Sequence, residues 1–132
     1  RDQAGCHRNL GNVYEGRGLL AGAEASFLRA LGLFESLGLI HEVRGVEFNV
    51  AFLREAQAAA TSDAAQSAGL LWDGLRLAVG SMLDADARRF QFRTEGDRLA
   101  WAEHVAAPRI RLAFRLAARV KDADLERVKW CV

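Results

Sequence analysis

The chain has 132 residues, 51% of them hydrophobic, which is enough for one domain with its own core and excludes intrinsic disorder. Alanine, leucine, arginine and glutamate dominate and there is a single proline, so the composition predicts an all-α fold. No apolar run reaches the roughly 20 residues that cross a bilayer, and the first residues lack the apolar segment of a signal peptide. We therefore predict a cytoplasmic protein whose two cysteines, Cys6 and Cys131, are reduced.

The net charge of +1 is unevenly distributed along the chain. Residues 1–87 carry 7 basic and 11 acidic side chains, a balance of −4, whereas residues 88–132 carry 11 basic and 6 acidic side chains, a balance of +5. Two interpretations stay open: the two halves attract each other, or each half faces a different partner.

The first predicted helix covers residues 3–17. Glycine at position 11 would let a partner helix approach closely, and Gly18 suits the left-handed position after a helix end. Its expected buried stripe follows helical spacing and consists of Leu10, Val13 and Tyr14.

The second predicted helix covers residues 21–37 and is ended by Gly38. Its apolar residues recur at spacings of three and four, as an amphipathic helix requires. They are Ala23, Phe27, Ala30, Leu31 and Phe34.

A second, less regular hairpin is predicted from residues 40–60 and from a following helix that reaches the region of residues 84–89. Asp63 is expected to cap the later helix, with Gln66 completing a capping box. The earlier helix has a buried stripe of Val43, Val46, Val50 and Leu53, with Phe48 and Phe52 beside it. The later helix has apolar positions at Leu70, Leu71, Leu75, Leu77, Ala78 and Met82.

The last third opens with Phe90 and Phe92 alternating with polar residues, which predicts an extended linker whose aromatics pack on the helices. Thr94 is expected to start one helix that is kinked at Pro108, or two helices nearly in line there, and Asp122 to cap a final helix over residues 123–130. The predicted stripe across the kink is Leu99, Ala102, Ala106, Ile110, Ala113, Ala117 and Val120. The total is six or seven helices, with helical hairpins over residues 1–89 and a C-terminal segment over residues 90–132 that packs on them in one continuous domain.

The first hairpin resembles a tetratricopeptide repeat over about 28 residues. The residues that carry this resemblance are Leu10, Gly11, Tyr14, Gly18, Ala23, Phe27 and Ala30. A second copy stands in the next hairpin, where Val50 and Ala51 match Leu10 and Gly11 but Arg54 replaces the tyrosine. The resemblance implies a short right-handed α-solenoid and a role in binding other proteins.

The tail is similar to a segment that precedes the CHAT domain, a caspase-like peptidase fold, in actinobacterial proteins with tetratricopeptide repeats. The matching elements are Phe90 and Phe92, residues 98–101, residues 113–117 and residues 122–125. We expect the chain, which does not start with methionine, to be part of a longer bacterial protein. The peptidase pair of histidine and cysteine has no counterpart in His104 and Cys131, so we predict that this chain is not an enzyme.

The predicted binding site lies on the inner face of the first helix of each hairpin. Arginine and side-chain amides in a partly dry groove can bond a peptide backbone or a terminal carboxylate. The candidate residues are Arg8, Asn12, Glu15, Asn49 and Arg54. Docking of a peptide or a partner domain is favoured over a dedicated carboxylate clamp, because the clamp needs further basic residues that only Arg44 or Arg54 would supply.

A possible secondary basic face is formed by arginines spaced four apart near the C-terminus. Its members are Arg111, Arg115 and Arg119, with Arg109 and Lys121 nearby. Nucleic-acid binding is the more specific interpretation of this face. However, no aromatic side chain lies between these arginines to stack on a base. A solvated face, or one paired with the acidic first half, is the preferred interpretation.

The three histidines, His7, His41 and His104, lack neighbours at metal-ligand spacing, so neither a metal nor a cofactor is predicted. Two functions remain in competition. The first is a module that binds a peptide or a partner domain. The second is a structural spacer that supports a downstream CHAT effector or forms the sensor part of a bacterial regulator. A groove filled by the C-terminal helices would favour the second.

Overall fold

The computed structural model describes residues 2–130, with the side chains of residues 2–123. Within that range the fold is all-α, as predicted, and it contains no strand. The helices are α1 (Asp2–Gly16), α2 (Leu20–Ser36), α3 (Ile40–Ala60), α4 (Ala64–Arg88), α5 (Glu95–Trp101) and α6 (Ala107–Trp130). None of the described helices is both long enough and apolar enough to span a membrane. The expectation for Cys131 lies outside the described residues.

The turns after α1 and after α2 have the same geometry. Gly18 and Gly38 adopt φ values of +74° and +69°, the left-handed region that suits glycine. The next residue reaches back to the fifth residue before it: the amide of Leu19 donates to the carbonyl of Tyr14 at 2.9 Å, and that of Leu39 to the carbonyl of Phe34 at 3.0 Å. These bonds satisfy carbonyls that the helix ends would leave unpaired, so both glycine predictions are confirmed.

The contact of α1 with α2 differs from the predicted one. Gly11 lies against the Phe27 ring, and a Cβ atom there would be 2.6 Å from two ring atoms. Because the ring needs this bare backbone, α1 turns Gly11 and Ala4 toward α2, and these are its buried residues. The predicted buried stripe is therefore wrong at Leu10 and Val13, which are 39% and 47% exposed.

Helix α3 packs on both sides and joins two hydrophobic clusters. Its predicted stripe of Val43, Val46, Val50 and Leu53 is buried with the α2 residues Ala23, Phe27, Ala30 and Phe34. Another side of α3 buries Ala51 and Ala58 in a second cluster with residues of α4 and α6. The members from those two helices are Leu71, Ala78, Leu112, Ala113, Leu116 and Val120.

Two of the three predicted helix caps are present. The Asp63 carboxylate accepts the amide proton of Gln66 at 2.9 Å, and the Thr94 hydroxyl accepts that of Asp97 at 3.1 Å. The Gln66 side chain does not complete a capping box, because it accepts a hydrogen bond from the Thr61 hydroxyl instead. Local sequence therefore determines where α4 and α5 begin.

The segment between α4 and α5 is a short 3-10 turn, Arg89–Gln91, rather than an extended linker. Only one of its two phenylalanines packs on the helices. Phe92 lies 5.2 Å from the Trp101 ring, and the indole of Trp101 donates to the carbonyl of Ala85 at 2.8 Å. Phe90 is 70% exposed.

Pro108 does not break the last helix. A π-helical turn, Ala102–Ala106, joins α5 directly to α6, so the described helices form five continuous rods instead of six or seven. Proline lacks an amide proton and crowds the carbonyl four residues earlier, and the wider π turn provides room there. The α6 helix then runs past Asp122, which caps no separate helix.

The π turn also shifts the buried stripe, because it adds a residue to one helical turn. Ala113 and Val120 are buried as predicted, but Ile110 and Leu99 are 37% and 63% exposed. The stripe that faces the core in α6 is Arg109, Leu112, Ala113, Leu116 and Val120. The prediction of the stripe is thus wrong in register, since a constant helical period does not account for the turn.

Candidate partner-binding groove

Arg8 and Asn49 meet between α1 and α3. The Nε atom of Arg8 donates to Oδ1 of Asn49 at 2.8 Å. Gly45 gives this contact room, since a Cβ atom there would lie 3.0 Å from Nη2 of Arg8 and the guanidinium would have to shift slightly. The absence of a side chain lets the guanidinium lie flat against α3 one turn before Asn49.

The charge of Arg8 is partly desolvated. Burial lowers the pKa of its guanidinium, while the Glu42 carboxylate opposes that shift. The Glu42 oxygen lies 4.0 Å from Nη1 of Arg8, beyond hydrogen-bond distance. Arginine keeps its proton under all ordinary conditions, so this is a cation whose short hydrogen bond goes to a neutral amide.

A groove with a volume of about 580 Å³ opens beside Arg8, and we call it the α1–α3 groove. Its polar lining includes Asp2, Cys6, Arg8, Asn9, Asn12 and Glu42. The predicted residue Asn12 is exposed in it. Glu15 follows one turn later on α1 and is half-buried, and burial raises the pKa of its carboxyl group.

Arg54 does not join this groove. Its Nε atom donates to Asp73 at 2.8 Å, and Nη1 donates to Glu24 and to Gln57 at 2.7 Å each. These bonds connect α2, α3 and α4 at a separate cleft of about 660 Å³. The hydrogen bond from Arg54 lowers the pKa of the Glu24 carboxyl group, so the charge of Arg54 is neutralised within the fold.

The basic face of α6 is also largely engaged. Arg115 forms a bidentate pair with Glu55 of α3, with two distances of 2.8 Å, and Arg119 lies 3.5 Å from the same carboxylate. Arg115 also stacks on the Phe52 ring, 5.4 Å from its centre. Arg111 is exposed. The pairing fits the preferred interpretation, in which the basic end contacts the acidic first half.

Sequence reasoning missed a partly buried polar cluster where α3, α4 and α6 meet, in which His41 is exposed. Arg109 is 7% exposed and donates to the carbonyl of Ser81 at 2.9 Å. Asp84 has one carboxylate oxygen 3.8 Å from Arg109 and the other 2.8 Å from Nδ1 of His41. The three residues stand on three different helices and far apart in the sequence, so no local motif indicates the cluster.

Among the described residues, no group of three or more His, Cys, Asp or Glu side chains is placed to hold a metal ion. Arg109 lies 3.8 Å from the Asp84 carboxylate, so it would repel a metal cation bound at the His41–Asp84 contact.

No protein-family model, curated protein or solved structure matches the chain.

Proposed function

We propose that the chain is an interaction module: a short right-handed α-solenoid of tetratricopeptide-type hairpins that binds a peptide or a partner domain in the α1–α3 groove. Two observations support the solenoid. The turns after α1 and α2 share both their left-handed glycine and their back-reaching amide. The pair Leu10–Gly11 of α1 also recurs as Val50–Ala51 in α3, the first helix of the next hairpin.

The observation that carries the proposal is the Arg8–Asn49 pair at the groove. The Nε atom of Arg8 bonds an amide and its Nη1 atom lies 4.0 Å from the Glu42 carboxylate, so the guanidinium can also donate hydrogen bonds to an acidic group of a peptide. The neighbouring Asn9 and Asn12 supply amide donors and acceptors for a peptide backbone. Such a site suits an extended segment with a carboxylate, either an acidic side chain or a chain terminus. The module acts in the cytoplasm of a bacterial cell and performs no chemistry itself.

A structural spacer is the second candidate, and one observation favours it. Helix α6 lays Arg109 and Arg115 over the rings of Phe48 and Phe52, so part of the inner side of α3 is covered by the chain itself. In that role the helices would support a downstream CHAT effector domain, or would form the sensor part of a bacterial regulator.

The deciding experiment compares the wild-type chain with an Arg8→Ala/Asn12→Ala double variant in pull-downs from a lysate of the source organism. A groove-binding module should capture a partner that the double variant loses, while circular dichroism shows unchanged helix content.

The matched control removes an arginine and an amide elsewhere, as Arg93→Ala/Gln91→Ala, since both of these side chains are exposed. The control should capture the partner as the wild type does. Equal capture by all three proteins would reject the groove as the binding site and leave the spacer as the better account.

A further inference from the structure

Residues 89–106 form a strap between α4 and α6, made of the 3-10 turn, α5 and the π turn. None of the residues in this range is buried. The helices on both sides are anchored in the core, because Ala85 of α4 and Leu112 of α6 are each 0% exposed. The strap is therefore a weakly packed segment held between two fixed ends.

The polar and ring contacts between α5 and α4 converge on Trp101, the last residue of α5. Its indole nitrogen donates to the carbonyl of Ala85, in the last turn of α4, at 2.8 Å. The Arg88 guanidinium lies 4.6 Å from the centre of the same indole. One side chain of the strap thus supplies both a hydrogen bond and a cation–π contact to α4.

Two further hydrogen bonds lie wholly within the strap. The Thr94 hydroxyl accepts the amide proton of Asp97, and the Nε atom of Arg98 donates to the carbonyl of Phe92 at 2.8 Å. Both partners of each bond are strap residues, so these bonds can persist when the strap leaves α4. Helix α5 can therefore move without losing its own cap.

Release of Trp101 from α4 needs little free energy. Water would replace the indole at the Ala85 carbonyl, and a hydrogen bond exchanged for one to water contributes a modest net free energy. The Nε atom of Arg88 is buried and has no hydrogen-bond partner among the described residues, so its hydration favours the open state. Few apolar contacts are lost, which is the condition for local opening.

We propose that the strap is a conformational device that releases from α4 as one unit, with Trp101 as its latch, while α4 and α6 stay folded. The π turn Ala102–Ala106 is the hinge, because it interrupts the regular α-helical hydrogen bonds beside Pro108. The open state uncovers the Trp101 ring and the Arg88 guanidinium, which the closed state holds against each other.

Hydrogen exchange resolved for single amides by NMR tests the latch with Trp101→Ala. The protected amides of α5 and the π turn should exchange faster together, by about tenfold, because the variant loses one hydrogen bond and one cation–π contact. The amides of α6 and of α4 before Ala85 should exchange as in the wild type. Trp101→Phe keeps a ring beside Arg88 but lacks the indole proton donor, so its acceleration should be smaller.

The matched control is Leu99→Ala in the same helix, where the side chain is 63% exposed. This variant should leave exchange in the strap unchanged. Equal acceleration by Leu99→Ala and Trp101→Ala would overturn the assignment of the latch. Acceleration in α6 as large as in the strap would overturn the separate opening of the strap.

Acceleration confined to the amides next to Trp101 would show local fraying instead of release as one unit, and it would also reject the proposal. None of these variants changes a residue of α1 or α3, so failure here leaves the α1–α3 groove unaffected.

Discussion

Gly11 is the residue on which the packing of the first hairpin depends most closely. A Cβ atom at this position would come within 2.6 Å of two Phe27 ring atoms, and Phe27 is fully buried. The ring has no free space into which it could move without disturbing the core. We expect Gly11→Ala to lower the free energy of unfolding by about 1–3 kcal/mol, measured by chemical denaturation.

The matched control is Gly32→Ala in α2, where a Cβ atom would contact nothing within 4 Å. Alanine favours helix over glycine by about 1 kcal/mol, so this variant should be as stable as the wild type or more stable. A similar loss of stability in both variants would show that the Gly11–Phe27 contact is not the cause.

The same residues show what sequence reasoning can reach. The predictions for Gly18 and Gly38 are correct because a left-handed position is a local requirement that glycine satisfies alone. Leu10 and Val13 follow an apolar period that predicts burial, but the choice of face depends on how Gly11 meets a ring of the following helix. A helical period therefore predicts that one face is apolar, but it does not specify which face contacts the neighbouring helix.

At the scale of helices, Glu55 of α3 forms ion pairs with two arginines of α6. Its carboxylate accepts two hydrogen bonds from Arg115 and lies near Arg119. The Arg115 hydrogen bonds are the main reason why the pKa of Glu55 is lowered from its ordinary value of 4.5. Because the folded pKa lies below the unfolded one, the pair adds stability above pH 4.5 and loses it as the pH falls through the folded pKa.

We therefore expect Glu55→Gln to lower the free energy of unfolding by about 0.5–1 kcal/mol at pH 7, a modest value because Arg115 is half exposed. The difference from wild type should shrink in denaturation experiments as the pH is lowered below 4.5. A difference that stayed constant down to pH 3 would mean that the ion pair contributes nothing.

Helix boundaries are the most predictable feature at this scale. The bounds of α3 agree with the prediction, and those of α1 and α2 differ by one residue at each end. Asp63 and Thr94 mark helix starts through their own side chains. The predicted stripe of α6 is wrong because a π turn next to Pro108 shifts the register, and proline alone does not indicate whether a helix kinks or widens.

The candidate site is predictable only in part. Arg8 and Asn49 share inner helix faces that a repeat pattern identifies, and the structure pairs them. Arg54 stands on the same helix as Asn49, but its side chain turns to Glu24 and Asp73. The carboxylate that pairs with a given arginine depends on distances in the folded structure, which the sequence does not show. The same holds for the pair of Arg109 and Asp84.

For the whole molecule, α3 is the connecting element. Among the described residues, it is the one helix whose buried side chains belong to both hydrophobic clusters. By contrast, α5 and the π turn bury no residue, and α1 buries only Ala4 and Gly11. The free energy of local opening is lowest where few apolar contacts are lost. It should therefore be highest in α3 and decrease toward both ends of the chain.

Hydrogen exchange followed by mass spectrometry can test this order. We expect the amides of α3 to exchange last, those of α1 earlier, and those of α5 and the π turn first. If α5 were as protected as α3, the protection of a helix would not follow the number of apolar residues that it buries. The order also bears on function, because the proposed α1–α3 groove is lined largely by residues of α1, a helix held mainly by α2 and the Arg8–Asn49 bond. A bound partner should therefore slow exchange in α1 far more than in α3, which the fold already protects.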